Sequence, residues 1–194
     1  MNFAKVKNFI LNKLKKELKP NLYYHGVHHT IDVLEASKRI AKMENINGTE
    51  LILLKTAALF HDIGFLIKYK SNEQESAKIA MEILPNFDYN PNEINRICNM
   101  ILSTKIPQNP RTLSDKILCD ADLDYLGRDD FFMIGPKLHR EWNEYGIKCS
   151  LKQWYMQQMD FITNHKYFTK SEIFLRYDKK MLHLSQIKEL LNIK

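Results

Sequence analysis

The stretch TELILLKTAALFHDIG (residues 49–64) decides the fold. Leu51, Ile52, Leu53, Leu54, Ala57, Ala58, Leu59 and Phe60 are apolar nearly all the way round a helix advancing 100° per residue, and such a helix is normally buried on every side. A chain that buries one helix this completely must pack others around it. The stretch then ends in His61 and Asp62. A buried imidazole and a buried carboxylate are costly unless they are paired or bind a metal. Taken alone, a His–Asp hydrogen bond at a partly exposed helix end is the simpler account of the two residues.

Outward from this stretch, apolar residues recur at helical spacing almost throughout, without strand alternation or hairpin signals. A first helix carries Phe3, Val6, Ile10, Leu14 and Leu18 and stops at Pro20. A second is expected over 28–43 and the third over 49–62, with Gly64 as its stop. Ser71 and Gln74 read as a capping box for a helix ending near Leu84, and Pro91 opens one that reaches Ser103. After a loop at 106–111, helices are expected over 113–126, 129–145, 150–164 and 170–182, with a short terminal helix after Ser185. The expectation is an all-α, single-domain helical bundle spanning 1–194. Its metal-site core covers 22–127, with the helices of 129–194 packed on it and the last two a possible appendage.

In the second helix, Val33, Leu34, Ser37, Ile40 and Ala41 define the inner face. His29 lies at the edge of that face, and His28 on the polar side with Asp32 and Glu35. In KILCDADLDYLG (residues 116–127), Ile117, Leu118, Ala121 and Tyr125 form the apolar face. Asp122 flanks it, Asp120 points away, and Asp124 is intermediate, so Asp122 is the inward acid and the other two are expected to be solvated or, at most, to support a ligand from behind. Two imidazoles and two carboxylates make a mixed N/O set suited to Mn, Fe, Co, Ni or Zn, and to Mg if waters complete its shell.

Composition bounds the partners. A net charge of +6 over 194 residues favours anionic ones without choosing among them. The cysteines, Cys98, Cys119 and Cys149, are odd in number and far apart, which suits a reducing compartment. Lysines from Lys5 onward interrupt the N-terminal apolar residues, and no apolar run approaches the roughly 20 residues of a membrane span. A cytoplasmic location is expected.

The ordered set YHGVHHTIDV (24–33), HDIG (61–64) and DADLDYLG (120–127) resembles the HD superfamily of metal-dependent phosphohydrolases. The resemblance spans Tyr24 to Gly127. It implies His29, His61, Asp62 and Asp122 as metal ligands, and His25 matches a histidine often found four residues before the first ligand. It also implies that two further histidines of two-metal members are replaced, by Asn72 and Thr104, so that this chain resembles a one-metal member.

Phosphate also needs positive charge. Lys68, Lys70, Lys105 and Arg128 follow segments that carry a ligand or its substitute. Lys105 and Arg128 are the preferred pair, although solvated surface charge explains each of them too. His25 or His28 could give a proton to the leaving oxygen, and Asp62 could orient the attacking water. The expected function is hydrolysis of a phosphate ester, a nucleotide or cyclic nucleotide, with one divalent cation. The competing readings are a non-catalytic nucleotide- or metal-binding sensor and, on net charge alone, a nucleic-acid-binding helical protein. The partner is expected to be a small anionic, phosphate-containing substrate rather than nucleic acid, and a homo-oligomer is possible. The basic N-terminal helix and the aromatics Trp154, Tyr155, Phe161 and Phe168 are expected to serve packing.

Overall fold

The structure is a computed structural model and describes residues 1–193. Nine α-helices are present among these residues, and no strand: α1 Phe3–Glu17, α2 Val27–Met43, α3 Gly48–Phe60, α4 Asn72–Ile83, α5 Pro91–Ser103, α6 Leu113–Asp122, α7 Phe131–Glu144, α8 Leu151–Asn164 and α9 Lys170–Leu190. Short 3-10 turns at Ile63–Leu66, Leu84–Phe87 and Asp124–Gly127 follow α3, α4 and α6.

Helix α3 is the axis of the bundle, as its composition demands. It touches α1, α2, α4, α5 and α6. Leu53, Leu54, Ala57, Ala58, Leu59 and Phe60 are wholly inaccessible. Each large apolar side chain buried in this way contributes about 1.5–3 kcal/mol. A second apolar cluster lies at the far end of α6, where Tyr24, Leu123, Tyr125 and Leu126 meet Phe131 of α7, Ile162 of α8, and Leu184 and Ile187 of α9. This cluster joins the C-terminal helices to the turn that follows Asp122.

Two boundaries differ from the sequence reading. Ser71 has φ 59°, in the left-handed region, and its side chain makes no cap. A capping serine needs extended backbone to reach the N3 amide, so the Ser71–Gln74 box does not form. The last two expected helices are a single one, α9, running through Ser185, because no glycine or proline interrupts it. Capping boxes that went unread start α5 (Asn90 with Glu93), α6 (Thr112 with Asp115) and α8 (Ser150 with Gln153).

Candidate metal centre

Three helix ends bring the four candidate ligands together. His29 lies in the first turn of α2, His61 and Asp62 directly follow α3, and Asp122 is the last residue of α6. One ligand atom from each of the four lies within 4.8 Å of all the others. His29 Nε2 is 3.1 Å from Asp122 Oδ1 and 3.3 Å from Asp62 Oδ2. His61 Nε2 is 3.1 Å from Asp62 Oδ2 and 3.3 Å from His29 Nε2.

The donor chemistry fits a cation. His61 Nδ1 is 2.9 Å from the Ala58 carbonyl, an acceptor, so Nδ1 carries the proton and the Nε2 lone pair faces the cluster. Asp62 Oδ2 is buried and has no hydrogen-bond donor. His61 is inaccessible and His29 nearly so. Burial alone would depress both imidazoles, yet the carboxylates of Asp62 and Asp122 outweigh it and raise their pKa values. Burial likewise works to raise Asp62 and Asp122, but His61 and His29 hold both below the usual carboxylate range. The cluster therefore draws in positive charge, which protons or a divalent ion can supply. Mixed nitrogen and oxygen ligands of this kind suit a first-row divalent ion.

Two cavities meet at this cluster. The larger, of about 610 Å³, is lined by Asp62 and Asp122 together with His25, Asn72, Glu73 and Thr104. The smaller, of about 260 Å³, is lined by His29 and Asp122 with His28, Asp32, Arg128 and Lys137. Asp122 is shared by both.

The remaining sequence candidates divide between these spaces. His25 stacks on Phe65, with ring centroids 4.1 Å apart, and its Nδ1 pairs with the Glu141 carboxylate. His28 is half-buried in the smaller cavity, where burial, Lys137 and His29 depress its pKa. Arg128 lines the smaller cavity, and its guanidinium already grips Asp130 through Nε at 2.9 Å and a terminal nitrogen at 2.5 Å, with Asp32 3.4 Å away. Lys105 is exposed and lines neither cavity. Lys68 pairs with Glu75 at 2.8 Å. Among the described residues, no lysine or arginine lines the larger cavity.

Asp120 and Asp124 point away from the cluster, but neither is solvated as expected. Asp120 is inaccessible and accepts from the Phe168 and Thr169 amides, at 2.8 Å each, and from the Thr169 hydroxyl at 2.7 Å. Asp124 is buried between Arg39 and Arg176, each 2.6 Å away. The far side of α6 is covered by the start of α9, which periodicity within α6 alone does not reveal.

Glu141 and Gln158 went unread, and Asn72, read only as standing in for a histidine, has a contact that the sequence did not show. Asn72 Nδ2 donates to Asp62 Oδ1 at 2.9 Å. Glu141 is wholly buried and accepts from the Tyr24 and His25 amides at 2.8 and 3.1 Å and from the Tyr69 hydroxyl at 2.9 Å, besides the His25 ring. Gln158 is buried in the larger cavity wall. The available signal for the last two is a polar residue on an apolar stripe. Glu141 follows Leu138 by three positions, and Gln158 stands between Trp154 and Ile162 at intervals of four.

Comparisons with known proteins agree with this arrangement. The HD domain family model matches residues 26–124, just over half of the chain. An uncharacterized protein of Clostridium beijerinckii is 35% identical over 81 residues, which is 40% of this chain and 51% of that protein. The chain thus spans about half the length of that relative. The crystal structure of a predicted HD superfamily hydrolase from an uncultured Thermotogales bacterium superposes with a TM-score of 0.64 at 21% identity, covering 95% of this chain and 91% of the other. The match of residues 26–124 opens at the N-cap of α2, just ahead of His29, and closes just beyond Asp122, and on that match the chain belongs to the HD domain family.

Proposed function

We propose that the protein is a phosphohydrolase that uses one divalent ion held by His29, His61, Asp62 and Asp122, and that its substrate is a phosphate ester of the nucleotide or cyclic-nucleotide kind. The observation that carries this reading is the convergence of two imidazole nitrogens and two carboxylate oxygens beside a substrate-sized cavity. A divalent ion held there would supply Lewis-acid polarisation of a phosphoryl oxygen and acidify a water molecule. Asp62, its carboxylate plane held by the Asn72 amide, would orient the attacking water. His25, on the wall of the same cavity, delivers a proton to the leaving oxygen while Glu141 holds its ring. His28 is the alternative donor from the smaller cavity. Arg128, tied to Asp130, shapes that smaller cavity, and Lys105 contributes only a screened charge outside.

None of the helices among the described residues is long and apolar enough to cross a membrane. Three unpaired cysteines support a reducing compartment, the cytoplasm, as the place of action, and the cavity beside the cluster supports a small phosphate-containing molecule as the partner. The test is a screen of phosphomonoesters, nucleotides and cyclic nucleotides against Mn, Fe, Co, Ni, Zn and Mg. Turnover that is lost on His61→Ala is expected. Tight metal and nucleotide binding with no turnover of any ester would instead establish a sensor.

A further inference from the structure

Gln158 holds a core position in α8. It lies one turn from Trp154 and one turn from Ile162, both almost fully buried, and is itself 5% exposed. Its Oε1 is buried and has no hydrogen-bond partner. An unmet buried amide group is destabilising, so its place on a cavity wall points to a partner that enters from the cavity.

That cavity also holds Asp62 and Asp122. Its aromatic wall includes Phe65, Trp142 and Phe161, and its remaining charged lining includes Glu73 and Asp160. With no lysine or arginine among the described lining residues, it offers no cationic partner to a second anionic group, although the chain as a whole carries 29 lysines and arginines. Glu73 and Asp160 would repel such a group. Flat rings suit aromatic walls, and a glutamine amide pairs best with a ring edge that presents a donor and an acceptor side by side, as with adenine.

We propose that Gln158 is a specificity-determining residue, and that the cavity takes an uncharged heteroaromatic group with adjacent donor and acceptor atoms, carried on a single phosphoryl group. This rests on the phosphohydrolase reading for the phosphoryl half only. The organic half is tested without turnover.

Binding of adenosine, guanosine, cytidine and unsubstituted purine riboside is measured by calorimetry on the wild type and on Gln158→Leu. At least one of the first three is expected to bind the wild type ten-fold or more tighter than purine riboside, and to lose that advantage in the variant. Equal binding of all four by the wild type would overturn the proposal without recourse to the variant, as would undiminished selectivity in a folded Gln158→Leu. In parallel, turnover of the matching nucleoside monophosphate is expected to exceed that of its triphosphate ten-fold or more in kcat/KM, and a preferred triphosphate would overturn the single-charge part. Selective nucleoside binding with no ester hydrolysed under any metal would sink the phosphohydrolase reading and leave the Gln158 subsite standing.

Discussion

Asn72 holds Asp62: its side-chain amide donates to Oδ1 at 2.9 Å and leaves Oδ2 to face the two imidazoles. On the proposed one-metal reading, Asn72, which the resemblance sets in place of a second-metal histidine, would position a carboxylate of the proposed ion. One ion per chain is expected from elemental analysis after metal loading. Partners of a ligand typically contribute 10–100-fold in metal affinity. Asn72→Ala is accordingly expected to weaken binding by roughly that factor at unchanged stoichiometry. Two ions bound to the wild type, both lost on His61→Ala, would refute the one-metal reading.

Asp122 and Asp120, two residues apart, should fail in different ways. Asp122→Ala is expected to lose metal and hydrolysis together. Asp120→Ala is expected to keep the metal but strand three donors at the start of α9, at a cost of about 2–4 kcal/mol. For a chain of this size that corresponds to a melting temperature lower by about 5–15 °C. Metal content and thermal denaturation on both variants decide it. An Asp120→Ala protein that is metal-free yet melts like the wild type would reverse the assignment.

Gly64 has no room for a methyl group. A Cβ there would stand 1.9 Å from the Asn72 carbonyl oxygen, and its amide donates to Ser76 Oγ at 2.8 Å. Gly64→Ala must push α4 off the turn that carries Asp62, and Asn72 moves with it. Lower stability and weaker metal binding are expected together. Calorimetry showing wild-type metal affinity in the variant would mean that the turn absorbs the methyl without displacing α4.

Glu172 gives a pH test remote from the site. Burial, and then the neighbouring Asp124, push its carboxyl from 4.5 up to about 9. The folded chain thus keeps a proton that the unfolded chain releases, and stability falls as pH rises through that window. Glu172→Gln removes the linkage. The melting temperature of the variant relative to wild type should therefore climb between about pH 5.5 and about pH 8.5. A constant difference would show instead that Arg39 and Arg176, 3.8 and 3.7 Å away, keep Glu172 ionised in the fold.

The all-α architecture was legible because α3 is apolar on all sides, and His29, His61 and Asp122 were legible because each stands at or beside the apolar face of its own helix. What periodicity could not show is which faces meet across the chain. Asp120 looked outward from α6, yet α9 covers it 48 residues later. Glu141 and Gln158 each break an apolar stripe, but Glu141 is explained by Tyr24 and His25 from the segment before α2, and Gln158 lines a cavity whose other walls belong to distant elements. Ser71 carried the right residue type for a cap in the wrong backbone conformation, which composition does not encode.

The contact between His29 and Asp122 closes a loop of 93 residues, and that between His29 and His61 a loop of 32. An ion gripping all of these would act as a reversible cross-link between distant parts of the chain. For a covalent link, a loop of about 100 residues removes on the order of 4–5 kcal/mol of chain entropy from the unfolded state. Chelation would then loosen more than the metal site itself. With the knot untied, the ends of α2, α3 and α6 keep apolar packing and the His–Asp contacts that protons can maintain, and the first region to open should be the end of the bundle where they meet.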